Sequence, residues 1–196
     1  MRRGRARDAM ALFRFSTEPP TRPLIRTENL ILRAPQASDY AAWSLLRIES
    51  RAFLTPWEPV WNEDDLTRNS FRLRVKRAAR EIASDEAYSL FVLDARSEML
   101  LGGLTLGLVR RGVAQACTLG YWMGEAFAGQ GYMSAGVRAV IPYAFGVLGF
   151  RRMEAACVPE NAASVGLLER VGFTREGLAR QYLCINGTWT DHALYA

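Results

Sequence analysis

Ala126-Phe127-Ala128-Gly129-Gln130-Gly131-Tyr132-Met133-Ser134 lies between a strand-like run and the start of a helical pattern, and the fold turns on how it is read. Glycines at 129 and 131 free the backbone to take positive φ and let a ligand come close. The first N–H groups of the following helix have no partner within it, and the helix dipole adds positive charge there, which suits a diphosphate. Ser134 adds a hydroxyl donor. Taken alone, the nonamer also fits two glycines that merely shape a tight turn.

What precedes the loop narrows the choice. Tyr88 to Asp94, Leu100 to Val109 and Ala114 to Met123 are strand-like and separated by short turns, as in an antiparallel meander. A Rossmann dinucleotide loop instead closes the first strand of a parallel sheet. Gly129-x-Gly131-x-x-Ser134 also lacks the third glycine of that fingerprint, although Glu154 falls near the position of a ribose-binding acid. The context therefore weighs against a nicotinamide or flavin site.

Upstream, Leu30 to Ala34 reads as a strand stopped by Pro35. Ser38-Asp39 then starts a helix with Tyr40, Trp43, Leu46 and Leu45 on one face. Pro56 and Pro59 predict an irregular segment from Phe53 to Trp61, because each biases its predecessor away from helix. A second helix is expected from about Asp65 to Ile82. Downstream of the loop come a helical pattern to about Gly149, a strand at Met153 to Val158 and a helix from Ala162 to Val171. Two last strands, Gly177 to Ile185 and Thr188 to Tyr195, are joined by the hairpin signal Asn186-Gly187. The order βαα-βββ-αβα-ββ predicts an α+β fold, a mixed β-sheet with helices on both faces.

Composition agrees with a folded protein. The chain has 196 residues, 49% apolar and 23% charged, enough for one domain with a sizeable core. Residues 1–20 read as a basic tail and 21–196 as a single domain. The net charge is +5, of which Arg2, Arg3, Arg5 and Arg7 against Asp8 supply +3, so the basic excess reads as a tail rather than a patch. The tail is either an overlong start ahead of Met10 or an arm that touches RNA. No run is apolar enough to span a membrane. Cys117, Cys157 and Cys184 are odd in number and widely spaced, and His192 is the only histidine, which argues against a disulfide framework and a zinc site. A soluble intracellular protein is expected.

Two further motifs carry chemistry. Asn161-Ala162-Ala163-Ser164 follows a strand end, where Asn161 is a natural N-cap and Ser164 lies in the first turn. Capping and ligand contact are compatible there. Glu169-Arg170-Val171-Gly172-Phe173 suits a helix end returning to the core.

This series resembles the acetyl-CoA-binding core of the GNAT N-acetyltransferases: strand, Gly129-x-Gly131-Tyr132, helix, strand, Asn161-x-x-Ser164, Leu168-Glu169-x-x-Gly172-Phe173. Phe53-Leu54-Thr55-Pro56-Trp57-Glu58-Pro59-Val60 and the ending from Tyr182 to His192 resemble the RimJ/RimL branch, especially its RimJ type. The resemblance covers roughly residues 24 to 196. It implies a GNAT acyl-CoA N-acyltransferase fold, acetyl-CoA as co-substrate, no metal, and acetylation of the N-terminal α-amino group of a ribosomal protein in the cytoplasm. It also implies that Trp122 and Met123, on a strand splayed from its neighbour, pair with the pantetheine arm. Gly129, Gln130, Gly131, Tyr132, Met133 and Ser134 would hold the pyrophosphate, with Asn161 and Ser164 near the thioester. Ala126 stands where relatives carry Gln or Arg, so the loop relies on backbone donors. Leu168 stands where many relatives carry an acidic tyrosine, and Ser164 is its substitute here.

The chemistry supports that reading independently. An α-amino group titrates near 8, so roughly a tenth is neutral at pH 7, whereas a lysine near 10.4 needs far stronger deprotonation. The leaving thiolate needs no strong acid. Orientation, a proton acceptor and an N–H donor therefore suffice. Glu58, flanked by Pro59 and Trp57, is the candidate to receive or guide the ammonium proton, with Trp57 and Asp191 facing the acceptor. Glu63, Asp64 and Asp65 fit a helix's first turn. His192 beside Asp191 is a candidate proton relay or a packed core histidine. Two further functions stay open: acetylation of a small amine such as an amino acid or antibiotic, and a ribosome-associated assembly factor. The partner would be the small ribosomal subunit, with the chain a monomer or homodimer.

Overall fold

The computed structural model describes residues 24–196; the tail expected over residues 1–20 lies outside them. Eight strands form one sheet: β1 (Leu24–Arg26), β2 (Leu30–Arg33), β3 (Tyr88–Asp94), β4 (Leu100–Arg110), β5 (Ala116–Met123), β6 (Arg152–Cys157), β7 (Arg175–Ile185) and β8 (Thr188–Tyr195). Their order is β1-β2-β3-β4-β5-β6-β8-β7, and the mixed sheet has one parallel pair, β5 with β6. The helices are α1 (Tyr40–Glu49), α2 (Arg51–Leu54), α3 (Arg68–Ala83), α4 (Tyr132–Pro142) and α5 (Ala162–Arg170). No helix among the described residues is long and apolar enough to cross a membrane.

Alternation along the strands sorts side chains onto two faces. Leu90, Val92, Leu104, Leu106, Cys117 and Leu119 pack with Met133, Val137 and Val140 of α4 and Leu167 and Leu168 of α5. Ile31, Phe91, Leu93 and Leu100 pack on the opposite side with Trp43 and Leu46 of α1 and Phe71 of α3. Helices thus cover both faces, as the pattern predicts. Leu45, expected on the inner face of α1, is 56% exposed, because its position turns it outward from the Trp43–Leu46 stripe.

Two expectations need correction. The segment Phe53 to Trp61 is not irregular throughout: α2 runs straight into a 3-10 turn at Thr55–Trp57. Pro56 is accommodated because the first helical positions have no intrahelical N–H bond to lose. Of the two residues that precede a proline, Thr55 stays helical (φ −48°, ψ −41°) and Glu58 takes the extended backbone (φ −122°, ψ 161°). The second helix also starts later than expected. Asp65 accepts from the Asn62 N–H at 2.8 Å in a preceding turn, and Thr67 caps α3 by accepting from Ser70 N–H at 3.2 Å. Glu63, Asp64 and Asp65 therefore lie ahead of the helix, not in its first turn.

The Asn186-Gly187 hairpin forms as read, with both residues at positive φ (44° and 81°), as a type I′ turn requires. The feature that shapes the site is the partnership of β5 and β6. It runs from Ala116–Arg152 to Leu119–Ala155 and then ends. Beyond it β5 continues along β4 to Met123, while β6 continues along β8. The two strands part, and a V-shaped cleft opens in the sheet.

Candidate active site

The cleft exposes one edge of β5 from Gly120 to Met123, a row of main-chain groups to which an extended ligand can add as a strand. Tyr121 and Met123 point to the α4–α5 face, and Trp122 to the α1–α3 face, where it packs near Phe91 and Trp43. A Cβ on Gly103 would lie 2.7 Å from the Trp122 indole nitrogen, so glycine there lets the ring lie flat on the sheet. Met123 is buried in the core, so it can offer a ligand only its backbone.

Past the end of β5 the chain enters the glycine loop. Gly129 and Gly131 both have positive φ (72° and 84°), and a Cβ at either would meet nothing within 4 Å. Backbone conformation, not crowding within the protein, accounts for glycine at both positions. Gly131 is the N-cap of α4 and provides no side chain, which leaves the first-turn N–H groups available to an anion. Gln130, exposed on the surface, folds back and donates from Nε2 to the Ala126 carbonyl at 2.7 Å, closing the loop. Met133 and Ser134 are buried, and Tyr132 packs partly into the core, so these residues too face a ligand through the main chain.

On the other side of the cleft, Asn161 caps α5 by accepting the Ser164 N–H at 3.0 Å through Oδ1. Capping thus belongs to Asn161, and the half-buried Ser164 hydroxyl has no hydrogen-bond partner among the described residues. Tyr121 reaches across from β5 and donates to the Ser164 carbonyl at 3.5 Å, linking the two walls. Burial pushes its phenol up to about 12, which keeps the proton on oxygen. Cys157, at the end of β6, is buried, and desolvation pushes its thiol up. It is a poor thiolate.

The α1–α3 face of the cleft carries a charged cluster. Glu58 receives two bonds from Arg47, at 2.7 Å (Oε1) and 2.5 Å (Oε2), and a third from Trp61 Nε1 at 2.8 Å. The Arg47 guanidinium lies 4.1 Å from the Trp61 ring centre and 4.9 Å from that of Trp122, stacked between them. Its Nε is buried without a hydrogen-bond partner among the described residues. Only 19% of the Glu58 side chain is exposed, so it is not the loosely solvated loop acid its prolines suggest. Trp57 is half-buried where the 3-10 turn ends. The Glu58 carbonyl accepts from the Asn186 N–H at 2.8 Å, tying this loop to the β7–β8 hairpin tip.

His192 sits one residue past the Cys157–Ala193 pair, where β6 ends and the cleft opens. It is 2% exposed and packs edge-on against Tyr182. Nδ1 lies 2.9 Å from the Thr190 carbonyl, which can only accept, so Nδ1 carries the proton and Nε2 of the neutral ring keeps a lone pair. Asp191 does not form the expected relay. Its Oδ1 accepts from the Gln181 N–H at 2.8 Å and holds the bulge of β7. Adjacent strand residues face opposite ways, which separates the two side chains.

Sequence reasoning missed Arg47 and the bridging role of Tyr121. Arg47 reads as an ordinary helix cation, and nothing local signals a partner beyond the turn of α2. No cluster of three metal-ligating side chains occurs among the described residues.

Comparison with known proteins accords with this geometry. Residues 29–174 match the model of the acetyltransferase (GNAT) domain. The [ribosomal protein uS5]-alanine N-acetyltransferase of Escherichia coli is 33% identical over 174 residues, covering 88% of this chain and 89% of that one. The probable N-acetyltransferase YjcK of Bacillus subtilis is 31% identical over 173 residues, covering 88% and 96%. The solved structure of Mycobacterium smegmatis RimJ in complex with CoA-disulfide superposes with a TM-score of 0.82 at 29% identity, covering 91% of this chain and 87% of that one.

Proposed function

This chain belongs to the GNAT family of acetyl-CoA-dependent N-acetyltransferases, and on that premise we propose that it acetylates the N-terminal α-amino group of a ribosomal protein in the cytoplasm. The observation that carries the acceptor is the 33% identity, over nearly the whole of both chains, to an enzyme named for alanine of ribosomal protein uS5.

Acetyl-CoA supplies the acetyl group as a thioester. The fit of this chain to it rests on the open edge of β5 for the pantetheine arm and on the loop from Gly129 to Ser134 for the diphosphate. Transfer is direct: the amine nitrogen bonds to the acetyl carbon, the carbon–sulfur bond breaks, and the proton shed by nitrogen as the amide forms is balanced by protonation of the departing thiolate to the free thiol of CoA. An acyl-cysteine route has little support, since burial holds the Cys157 thiol protonated.

His192 accepts the ammonium proton at Nε2, with Thr190 holding its tautomer. Glu58, with its two oxygens bonded to Arg47 and Trp61, orients the acceptor wall. The Ser164 hydroxyl donates to the departing sulfur, and Trp57 lines the acceptor's approach. An α-amine, already about one-tenth neutral at pH 7, asks little of this base.

The test is intact-mass analysis of the host's ribosomal proteins with and without the gene. One ribosomal protein should lose the mass of a single acetyl group in the deletion strain, and purified enzyme should restore it at the α-amine. An unchanged mass profile, or transfer only to lysine side chains, would overturn the reading.

A further inference from the structure

The basic excess, expected to lie mainly in the tail rather than in a patch, is concentrated within the folded body as well. In α3, Arg68, Arg72, Arg74, Lys76, Arg77 and Arg80 stand against Glu81 alone, a net +5 in 16 residues. That equals the net charge of the whole chain, so everything outside α3 sums to zero. All six cations are exposed.

Their arrangement divides them. Arg77 pairs with Glu81 at 2.6 Å, and Arg74 with Asp65 at 3.5 Å. Arg68, Arg72, Lys76 and Arg80 recur every fourth residue and have no carboxylate partner among the described residues. Four-residue spacing puts them in one ridge, in steps of about 6 Å over about 18 Å. Arg68 is oriented further by the Tyr40 ring, 4.5 Å from its guanidinium carbon. Like charges at this spacing repel, and each of the three successive pairs weakens the helix. Nothing within the described protein offsets that repulsion.

We infer that the Arg68–Arg72–Lys76–Arg80 ridge docks on the phosphate backbone of double-helical RNA. An evenly stepped ridge of cations, winding about a third of a turn round the helix, complements the regular charge of a phosphodiester strand that itself follows a helical path. A membrane surface fits poorly, because Phe71, Ala78 and Ile82 are buried in the core and only Leu73 on this helix offers an exposed large apolar side chain. The choice of RNA over DNA rests on the ribosomal acceptor proposed above; the charged ridge does not.

The experiment measures anisotropy of a fluorescein-labelled RNA duplex titrated with the full-length protein across roughly 50 to 200 mM salt. With about 0.9 of log–log salt slope per phosphate contact, Arg72→Gln/Lys76→Gln/Arg80→Gln should reduce the slope by about 2.7. A charge-matched control, Arg26→Gln/Arg96→Gln/Arg151→Gln, should keep it. The ridge variant should hold or slightly raise its Tm, because the repulsion is relieved, and should keep its acetyl-CoA-induced Tm shift, which reports folding whatever the acceptor proves to be. An unchanged slope in the ridge variant assigns RNA binding to the tail and overturns the proposal. An equal loss in the control reduces the effect to net charge and overturns it too. So does binding to phosphatidylserine vesicles without binding to RNA.

Discussion

Replacing Glu58 by Gln isolates the cluster on the acceptor wall. The carboxylate takes three hydrogen bonds, two from Arg47 and one from Trp61. Glutamine keeps one acceptor oxygen, but it sets an amide N–H₂ against a guanidinium and removes the countercharge. Arg47 would then lie between two indoles with its Nε already unpaired. Exposed ion pairs are worth about 0–1 kcal/mol, and breaking a buried one costs about 3–5. With side-chain exposures of 13% and 19%, the pair lies toward the buried end, which implies a loss of about 2–3 kcal/mol. For a chain of this length that corresponds to a fall in Tm of roughly 5–10 °C. Adding Arg47→Met, which removes the orphaned charge, should recover part of the loss. In steady-state assays below the transition, kcat should fall by a constant factor across roughly pH 6–9, with the KM for acetyl-CoA unchanged. A Tm within about 2 °C of wild type would refute the energetic argument. Loss of the pH dependence itself would make Glu58 the proton acceptor in place of His192.

Gly131→Val should cost about 1–3 kcal/mol, because a β-branched residue is strained at φ 84°, and should abolish most of the Tm rise produced by acetyl-CoA; Gly131→Asn, which tolerates that backbone, should keep the fold, so its Tm shift reads ligand approach alone. Asn161→Ala should lose about 1 kcal/mol of stability through the missing cap, whereas Ser164→Ala should leave Tm nearly unchanged and lower kcat about tenfold if its hydroxyl serves the leaving sulfur. The Arg111 guanidinium, bonded to Asp85, holds its carboxyl below the usual range, so this contribution is full above the ordinary value near 4 and disappears as the pH falls through the lower folded-state value. Asp85→Asn should therefore lower Tm at pH 7, with the gap to wild type closing in strong acid.

Long-period features were legible from residue order. Tyr88–Asp94 and Thr188–Tyr195 have the expected ends, since alternation and flanking turn residues agree there. β1 has three residues and owes its existence to pairing with β2, which leaves no local pattern to find. The late start of α3 depended on whether Asp65 bonded ahead of the helix or within it, a choice that Asn62 decides. The glycine loop and Asn161 could be read because backbone demands restrict residue type. The Arg47–Glu58 clamp could not, because pairing across a turn is chosen by packing of two tryptophans, one of them on a distant strand. The α3 ridge was hidden by averaging: whole-chain charge is blind to position.

The bond from Asn186 N–H to the Glu58 carbonyl joins segments 128 residues apart in the chain. Such a contact bears on timing during synthesis. The cofactor loop, the first five strands and the Arg47–Glu58 clamp can assemble from chain that emerges early, but the Glu58 loop gains its main-chain tie only when the last hairpin is made and docked. His192 comes from that same hairpin. A nascent chain could thus acquire most of its acetyl-CoA site well before it owns the hairpin tie of the Glu58 loop or a base. Completion of the final two strands would then act as the step that commits a folded polypeptide to being an enzyme.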